Sequence, residues 1–469
     1  MKVWLAAAKD ACGNVWLSAP RLLIAAAVFH MVVTMTIYGL GRHAVLPNTF
    51  DTSGIAVSFA PDGIESREET ATLSDMLARG QIRDWLIGDY PFHLKLYSIC
   101  FALMGPFFGP TILSAEPLNL LCYLAILVLI FHLGHEVFDR RVGLITAAAV
   151  AAWPSFLLHT TQLLKDLLFL VGTLAFILVI SRFLSRSFSW PGALLTAAAG
   201  GSLTVFIWLV RDSMGELLIA TVVVGAGLLI ARQLLEKHFQ AANLVGMVLL
   251  AVMSVGVTRV VPKFRRPDVP QNAIETSGRR NISPHRFKPA KLETPETLAR
   301  NPWQRLVARV GKLREGFVVE YPNASSNIDS SVQLTNLWDI IRYLPRAAEI
   351  GFFAPFPNMW LATGNQIGSA GRLLSGLETM AMYLIEGLAI VGIWSRGRGQ
   401  RRFSLWFISL VAAMGLISLG LVVVNVGALY RLRYEFLFLL IVLAAGGAAH
   451  TLDWFRKKRS DGSELTADI

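Results

Sequence analysis

The sequence has few cysteines and lacks the common motifs of soluble enzymes. Its 469 residues include three cysteines, Cys12, Cys100 and Cys122, and none has the spacing of a metal-ligand motif. Neither a disulfide framework nor a zinc site is therefore indicated. A glycine-rich phosphate loop, the HExxH and GxSxG patterns and nucleic-acid-binding motifs are also missing. Their absence argues against a soluble nucleotide substrate and against a nucleic-acid partner.

Charged residues are also scarce, and hydrophobic residues take their place. Asp, Glu, Lys and Arg make up 16% of the chain and hydrophobic residues 54%, with a mean hydropathy of +0.53. This balance predicts a polytopic membrane protein. The net charge of +11 then reflects basic cytoplasmic loops and affinity for anionic lipid headgroups. The N-terminus shows no cleavable signal pattern, so the first apolar run is predicted to remain as an anchor.

The apolar runs predict an all-α fold with about 10–11 transmembrane helices, because a bilayer core needs about 20 apolar residues in a helix. The candidates are roughly 21–41, 117–136, 143–160, 164–181, 190–210, 213–231, 241–260, 376–395, 403–424 and 434–450. A further run, 93–112, is interrupted by Gly105, Pro106, Gly109 and Pro110.

Positive charges fall in every second connection, which predicts that these connections are cytoplasmic. They are Arg140 and Arg141, Arg182 and Arg186, Arg232 and Lys237, and the basic runs at 396–402 and 456–459. The pattern holds if 93–112 is a re-entrant or interfacial helix. The alternative is a full eleventh span, which would place Arg140 and Arg141 outside. We therefore predict that 93–112 does not cross the membrane.

This topology divides the chain into three parts. Residues 1–261 form an N-terminal transmembrane module with a long first outer loop. Residues 262–375 form a large extracytoplasmic loop, and residues 376–469 form a C-terminal module of three helices with a basic cytoplasmic tail. The large loop is rich in Pro, Arg, Lys and Asn up to about Pro302 and is predicted to be extended there. From Trp303 onward its spacing is typical of amphipathic helices on a membrane surface.

The first outer loop, 43–92, is rich in acidic residues. A carboxylate in such a loop can act as a general base that accepts the proton of an attacking hydroxyl group. Asp62 is the best candidate, because a proline before it and a glycine after it form a turn signal that would project the side chain. Glu65 and Glu69 are further catalytic candidates. The alternative is that all acids of the loop are solvated charges.

The junction at 159–168, HTTQLLKDLL, places a lysine and an acid at the start of a predicted span. Charges near membrane segments are costly and often functional. Lys165 is suited to pairing with a phosphate, and Asp166 to orienting Lys165 or the acceptor. The alternative is an ion pair that anchors the helix at the interface. Histidines are scattered and are most simply structural, but His93, at the end of the acidic loop, is included as a candidate substrate-binding residue.

Arg211, Arg431 and Arg433 lie at the predicted outer ends of spans, against the trend that places positive charge inside. A guanidinium group binds phosphate through two parallel hydrogen bonds. We therefore predict that these arginines hold a lipid-linked phosphate. The alternative is ion pairing with Asp212 or Glu435.

The order of these features resembles that of membrane-embedded GT-C glycosyltransferases of the protein-mannosyltransferase-like type. The resemblance covers about residues 20 to 215 and consists of one span, a long acidic loop, then YPFHLKLYSICFALMGPFFGP and LNLLCYLAILVLIFHLGHEVFDRRVGLITAAAVAAWPSFLLHTTQLLKD. Two later segments also resemble such proteins, namely YLPRAAEIGFFAPFPNMW and LYRLRYEFLFLL. The family's key acid lies in the first outer loop, often before a second acid. Here Gly63 follows Asp62, and the next acid is Glu65.

The resemblance implies an inverting transfer of a sugar from a polyprenyl-phosphate donor on the periplasmic face of a bacterial inner membrane, in surface polysaccharide or glycoconjugate assembly. The implied partners are membrane lipid, the lipid-linked sugar and a glycan, glycolipid or protein acceptor. Asp62 would act as the base, and the basic loop 262–375 would cover the site and receive the acceptor. A divalent metal is compatible with this chemistry, but the sequence does not indicate one.

Other functions remain open at this point. A polysaccharide polymerase or ligase with lipid-diphosphate substrates also has outer-loop arginines, but usually in a large late loop. A transporter or flippase of a lipid-linked saccharide predicts broken helices and charges near the bilayer midplane, whereas the charges here lie near span ends. A scaffold in an envelope assembly would turn over no prenyl-phosphate sugar.

Overall fold

The structure is a computed structural model, and it describes residues 18–45, 61–211, 214–260, 301–320, 324–360, 368–396 and 402–464. Within these ranges the chain forms seventeen α-helices and one short 3-10 helix. No β-strand occurs in this described part of the chain, which contains one isolated β-bridge. The predicted all-α fold is therefore confirmed.

The helices before the large loop are α1 (Ala19–Arg42), α2 (Pro61–Ala78), α3 (Ile82–Ile87), α4 (Phe92–Phe108), α5 (Ile112–Val137), α6 (Arg140–Ala151), α7 (Pro154–Thr160), α8 (Lys165–Ser185), α9 (Trp190–Val210), α10 (Gly215–Glu236) and α11 (Ala241–Val260). The later helices are α12 (Pro302–Glu320), α13 (Leu337–Phe353), α14 (Gly368–Arg396), α15 (Arg402–Val422), α16 (Val426–Leu432) and α17 (Tyr434–Glu464).

Nine of the described helices are long and apolar enough to cross a membrane, namely α1, α5, α8, α9, α10, α11, α14, α15 and α17. The pair α6 and α7 forms a tenth candidate that is bent by 68°. The bend lies at Trp153, before Pro154, because proline disfavours a helical conformation in the preceding residue. The span predicted at 143–160 is thus present as two helices. The chain is a multi-pass membrane protein, as predicted.

Helix α4, which contains the interrupted apolar run, begins and ends at the same end of the bundle. His93 in its first turn lies within electrostatic reach of Lys165, at the start of α8. The helix ends four residues before Ile112, which packs with Ile37 of α1 and Leu158 of α7. Leu158 lies two residues before the end of α7, so both ends of α4 lie near the junction between α7 and α8.

The predicted basic connections gather at the opposite end. Arg141 of α6 lies 2.9 Å from Asp453 of α17, and Arg186 after α8 lies 2.5 Å from Glu136 of α5. We refer to this end as the basic end. The other end, which we refer to as the loop end, contains α2, α3, α4, the junction between α7 and α8, and helices α12 and α13.

Glycines allow the late helices to pack closely. At Gly392 of α14 and Gly447 of α17, a side-chain carbon would overlap the backbone of the facing helix. The same holds for Gly351 of α13 and Gly420 of α15. Small residues let helix backbones approach each other closely. In a membrane the hydrophobic effect does not drive helices together, so this close packing stabilises their association. These contacts fix α17, and thus the segment that precedes it, against its neighbours.

The amphipathic helices predicted in the large loop are present as α12 and α13. Their apolar residues form a small core with the end of α15. A β-bridge joins Asn327, between these two helices, to Asn425 before α16. The described part of the large loop is therefore docked on the segment between α15 and α17. The basic stretch 262–300, predicted to be extended, lies outside the described residues.

Candidate active site

The four residues between α7 and α8, 161–164, are buried but not helical. Non-helical backbone at membrane depth needs hydrogen-bond partners. The Tyr97 hydroxyl group of α4 lies 3.3 and 3.4 Å from two carbonyl oxygens of this segment. Helix α8 consequently begins at Lys165. Asp166 lies in its first turn, where the backbone N–H groups favour a negative charge.

Charged side chains from four separate segments form a chain of ion pairs. Arg431 lies between two carboxylates: its Nη2 is 2.8 Å from Asp62 Oδ2, and its Nε is 3.1 Å from Asp166 Oδ2. Arg211 bonds the other carboxylate oxygen of Asp166. The first-loop acid and the junction acid, selected separately from the sequence, thus contact one guanidinium group. We refer to these four residues, together with Lys165, as the ion cluster.

Asp62 lies in the first turn of helix α2, whereas the sequence predicted a turn at this position. Pro61 begins the helix, where its missing N–H group costs nothing because the first N–H groups of a helix have no partner within it. The Asp62 side chain remains 43% exposed, compared with 17% for Asp166. Asp62 is therefore the more accessible of the two carboxylates.

Lys165 brings a third cation to the ion cluster. Among the residues that the structure describes, it forms no hydrogen bond or ion pair, although Asp166 and Asp62 lie within electrostatic reach. His93 lies beside it at the start of α4. Burial, and then the positive charge of Lys165, lower the pKa of His93 from 6.5 to about 4. His93 is therefore neutral at pH 7, with one ring nitrogen as donor and one as acceptor.

Three of the five residues of the ion cluster line a cavity of about 380 Å³. Asp166, Arg211 and Arg431 face it, together with several apolar side chains of α7 and α8. Glu435, in the first turn of α17, also lines this cavity and is 4% exposed. We refer to this space as the polar cavity. It lies at the loop end of the bundle, which is the end with few basic connections.

A second cavity, of about 300 Å³, lies beside the polar cavity. The two share Phe169, whose ring centre is 5.0 Å from the guanidinium carbon of Arg211. Apart from Thr173 and Thr221, its walls are apolar side chains of α8, α10, α15 and α17 and of Met214. Its walls follow α8 from Phe169 for eight residues, or about 12 Å of helix. We refer to this space as the apolar cleft.

Helix α16 carries Arg431 and is itself held at both ends. Asn425, its N-cap residue, donates to the large loop at 3.1 Å. Near the other end, the Tyr430 hydroxyl group bonds the carboxylate of Glu378 in α14. The second oxygen of that carboxylate accepts the Ser155 N–H group of α7 at 2.6 Å. These bonds position Arg431 from three sides.

Arg433 points away from the ion cluster, although the sequence grouped it with Arg431. It is 1% exposed, and its Nη1 donates to the Ala354 carbonyl oxygen at 2.6 Å. Its guanidinium carbon lies 4.3 Å from the centre of the Tyr430 ring. Side chains two residues apart on a helical turn do not face the same side. The structure therefore separates the two arginines.

The remaining predicted site residues lie along the first loop and after α9. Glu69 follows Asp62 by two helical turns on α2 and is partly buried. The side chain of Glu65 and the whole of Asp212 lie outside the part of the chain that the structure describes.

Sequence reasoning missed several polar residues beside the ion cluster. Glu378 and Glu435 are both buried in predicted spans, and a carboxyl group inside a span is a signal that could have identified them. His159 also lines the polar cavity. Its Nδ1 lies 2.7 Å from the Ser155 carbonyl oxygen and 3.0 Å from the Tyr434 hydroxyl group. No local pattern distinguishes such a histidine from a structural one.

Comparison with known proteins gives one distant structural similarity to report. No protein-family model matches the chain, and no curated protein matches it. An archaeal oligosaccharyltransferase, AglB from Archaeoglobus fulgidus in complex with an inhibitory peptide and a dolichol-phosphate, is similar in structure with a TM-score of 0.46 and 12% identity. The match covers 93% of this chain and 52% of AglB. This chain thus spans about half the length of that protein, and no residue role is transferred from it.

Proposed function

We propose that this chain is a membrane-embedded glycosyltransferase that moves a sugar from a polyprenyl-phosphate donor to an acceptor on the periplasmic face of a bacterial inner membrane. The observation that carries the proposal is the junction of the polar cavity with the apolar cleft. The polarity of these two adjoining spaces matches a substrate with an anionic head and a hydrocarbon tail. Its phosphate would contact the ion cluster, and its tail would follow α8 into the bundle.

The charge of the ion cluster supports a monophosphate donor. Arg211, Arg431 and Lys165 face two carboxylates, which leaves an excess of one positive charge. A sugar linked through one phosphate is a phosphodiester with a single negative charge and balances this excess. A lipid diphosphate carries more negative charge than the cluster can match. Glu435 also lines the polar cavity, so the excess exists while that carboxyl group is neutral.

In the proposed reaction, the acceptor hydroxyl oxygen attacks the anomeric carbon, and the bond between that carbon and the donor phosphate oxygen breaks. Asp62 accepts the hydroxyl proton, and polyprenyl phosphate leaves with an additional negative charge. Arg431, Arg211 and Lys165 stabilise that charge, which develops in the transition state. Attack on the side opposite the leaving group inverts the anomeric centre.

The ion pair between Asp62 and Arg431 links donor binding to this step. In the structure Arg431 Nη2 holds Asp62 Oδ2 at 2.8 Å, so this oxygen is not available to an acceptor hydroxyl group. The donor phosphate competes for the same guanidinium group. Donor binding therefore releases Asp62 to accept a proton. Asp166 keeps its contacts with both arginines and holds them beside the phosphate.

The orientation follows from the basic end. Arginine and lysine residues in short loops favour the cytoplasmic side, and the basic connections described above all lie away from the polar cavity. This arrangement supports an active site on the outer face. An acceptor would then approach over α12 and α13, and the basic stretch 262–300 would complete the cover of the site.

The direct test is release of polyprenyl phosphate by the purified chain in lipid nanodiscs. The donors are a panel of polyprenyl-phosphate hexoses and pentoses, together with the matching lipid diphosphates. The acceptors are glycans from the membrane of origin. We expect turnover with a monophosphate donor and none with Asp62→Asn. Turnover with diphosphates alone would favour a polymerase or ligase. Movement of a donor across the bilayer without cleavage would favour a flippase.

The apolar cleft provides a second test with a matched control. Leu217 of α10 lines the cleft, whereas Val223 of the same helix is 64% exposed on the outside of the bundle. Leu217→Trp should raise the KM for long-chain donors and leave that for a donor with one or two isoprene units unchanged. Val223→Trp should change neither. Equal donor curves for both variants would show that the tail does not enter the cleft.

A further inference from the structure

The two carboxylates of the ion cluster form a donor set that commonly binds a divalent cation. Asp62 and Asp166 come from different segments, contact the same guanidinium group and supply hard oxygen ligands of the kind that Mg²⁺ and Mn²⁺ prefer beside a phosphate. In this chain, however, the space between them is occupied by a side chain. The Nε–Nη2 edge of Arg431 faces both carboxylates, at 3.1 Å and 2.8 Å.

Three of the four carboxylate oxygens are already engaged by guanidinium groups. Of the four oxygens, Asp166 Oδ1 bonds Arg211, Asp166 Oδ2 lies against Arg431, and Asp62 Oδ2 lies against Arg431. A metal ion would have to displace these contacts. It would also add two positive charges to a cluster that already has more cations than carboxylates, and the repulsion is strong because the side chains are largely enclosed.

A third metal ligand is also missing from the part of the chain that the structure describes. No group of three His, Cys, Asp or Glu side chains comes together there in a way that could hold a metal ion. His93 and Glu435 lie near the cluster, but Lys165 faces the former and Arg211 the latter. The residues present therefore do not fit a divalent cation.

We infer that Arg431 takes the place of a divalent metal ion in this site, and that transfer proceeds without one. This inference rests on the proposed function. Arg431 performs the two tasks that a metal would perform: it joins the first-loop carboxylate to Asp166, and it supplies fixed positive charge to the leaving phosphate. Unlike a bound ion, the guanidinium group cannot be removed by a chelator.

Helix α16 makes Arg431 suited to this role. The side chain is 18% exposed, and the hydrogen bonds of Asn425 and Tyr430 hold the helix at each end. A preorganised cation needs no reorganisation when negative charge develops on the phosphate. The planar guanidinium group also contacts two carboxylates along one edge, which an ammonium group cannot do.

The experiment measures Mn²⁺ binding and turnover separately. The chain is purified with EDTA, reconstituted in nanodiscs, and titrated with Mn²⁺ alone while free and bound ion are measured by electron paramagnetic resonance. We expect no Mn²⁺ bound by the wild-type ion cluster and unchanged turnover in EDTA. Arg431→Gln should lower turnover by about 10²–10³-fold, and added Mn²⁺ or EDTA should leave the lower rate unchanged because a third metal ligand is still missing among the described residues.

A control variant and the contrary results are defined as follows. Arg342→Gln removes an arginine that stacks on Trp338 of α13, 5.1 Å from the ring centre and outside the site, and should behave as wild type. Mn²⁺ bound by the wild type but lost in Asp166→Asn, or turnover that EDTA abolishes and Mn²⁺ restores, would overturn the inference. Absence of turnover under every metal condition would instead refute the proposed function. The Mn²⁺ titration needs no substrate, so it tests the inference independently of turnover.

Discussion

Two networks of aspartate and arginine lie at the loop end of this molecule, and they differ in what surrounds them. In the large loop, Arg346 Nε lies 2.9 Å from Asp329 Oδ2, and the Tyr343 hydroxyl group lies 3.1 Å from the same oxygen. Arg314 is 3% exposed and donates to three backbone carbonyl groups at 2.7 to 3.1 Å. The guanidinium donors of this network are used within the protein.

The ion cluster contains the same residue types in a different setting. Its arginines pair with Asp62 and Asp166, but Lys165 forms no ion pair within the described ranges, and the polar cavity adjoins Asp166 and both arginines. The loop network thus stabilises a docked loop, whereas the ion cluster offers positive charge to a ligand. An arginine beside an aspartate therefore indicates a binding site only where a cavity adjoins the pair.

The strongest test of this difference exchanges one carboxylate in each network. We expect Asp62→Asn to lower turnover by about 10²–10⁴-fold, because the amide keeps the shape but accepts no proton. Its thermal stability should stay close to wild type, since the side chain is 43% exposed. Asp329→Asn is the matched control and should retain full turnover. Equal turnover of the two variants would show that the two networks do not differ in function. Loss of turnover in Glu69→Gln but not in Asp62→Asn would identify Glu69 of α2 as the base.

The second test breaks the loop network. We expect Arg314→Met to lower the free energy of unfolding by about 3 kcal/mol, because buried carbonyl groups lose their charged donors. The KM for the donor should not change in the protein that remains folded. Thermal unfolding followed by tryptophan fluorescence, with donor kinetics below the transition, measures both. A raised donor KM at unchanged stability would place Arg314 in the binding site.

The third test compares two arginines that are two residues apart. Arg431→Lys conserves the charge but loses the two-point geometry, and bonds to charged groups contribute about 1.5–3 kcal/mol, so donor affinity should fall roughly ten- to a hundred-fold. Lys165→Ala should have a similar effect. Arg433→Lys should instead lower stability with little effect on donor affinity, because its guanidinium group bonds the Ala354 carbonyl oxygen. Turnover against donor concentration, with acceptor held constant, distinguishes them.

The last test concerns the pH dependence of stability and the proton of His93. Its pKa is lowered to about 4 in the folded chain, so unfolding takes up a proton when the pH is below about 6.5. The folded state should therefore lose stability as the pH falls from 6.5 towards 4, and then level off. His93→Gln should flatten this decline. Melting temperatures of both proteins across this range measure it, and parallel curves would contradict the assignment of the proton to His93.

Much of the fold follows from local signals in the sequence. Runs of apolar residues predicted the spans, because a segment in lipid must form its backbone hydrogen bonds within itself, as a helix does. Asp62, Lys165, Asp166, Arg211 and Arg431 were all selectable, since charges at span ends are costly unless they have a role. Their convergence on one cavity required only that alternate span ends lie on the same side.

Other features depended on side-chain direction and packing between distant segments. The sequence grouped Arg431 with Arg433, although the turn of α16 points them to different neighbours. It did not select Glu435, whose place in the cavity wall depends on how α17 packs. The sequence predicted a turn at Asp62, where the docked loop forms a helix instead.

What the sequence by itself determined was the all-α multi-pass fold, the basic end and the set of charges at the opposite end, because these depend on hydropathy and on charge in each segment alone. Only the tertiary structure decided that Arg431 lies between Asp62 and Asp166, and that the polar cavity adjoins the apolar cleft at Phe169. The first feature arises where α2, α8 and α16 meet, and the apolar cleft lies where α8, α10, α15 and α17 meet. Contacts between segments far apart in the chain leave no periodic pattern in any one of them.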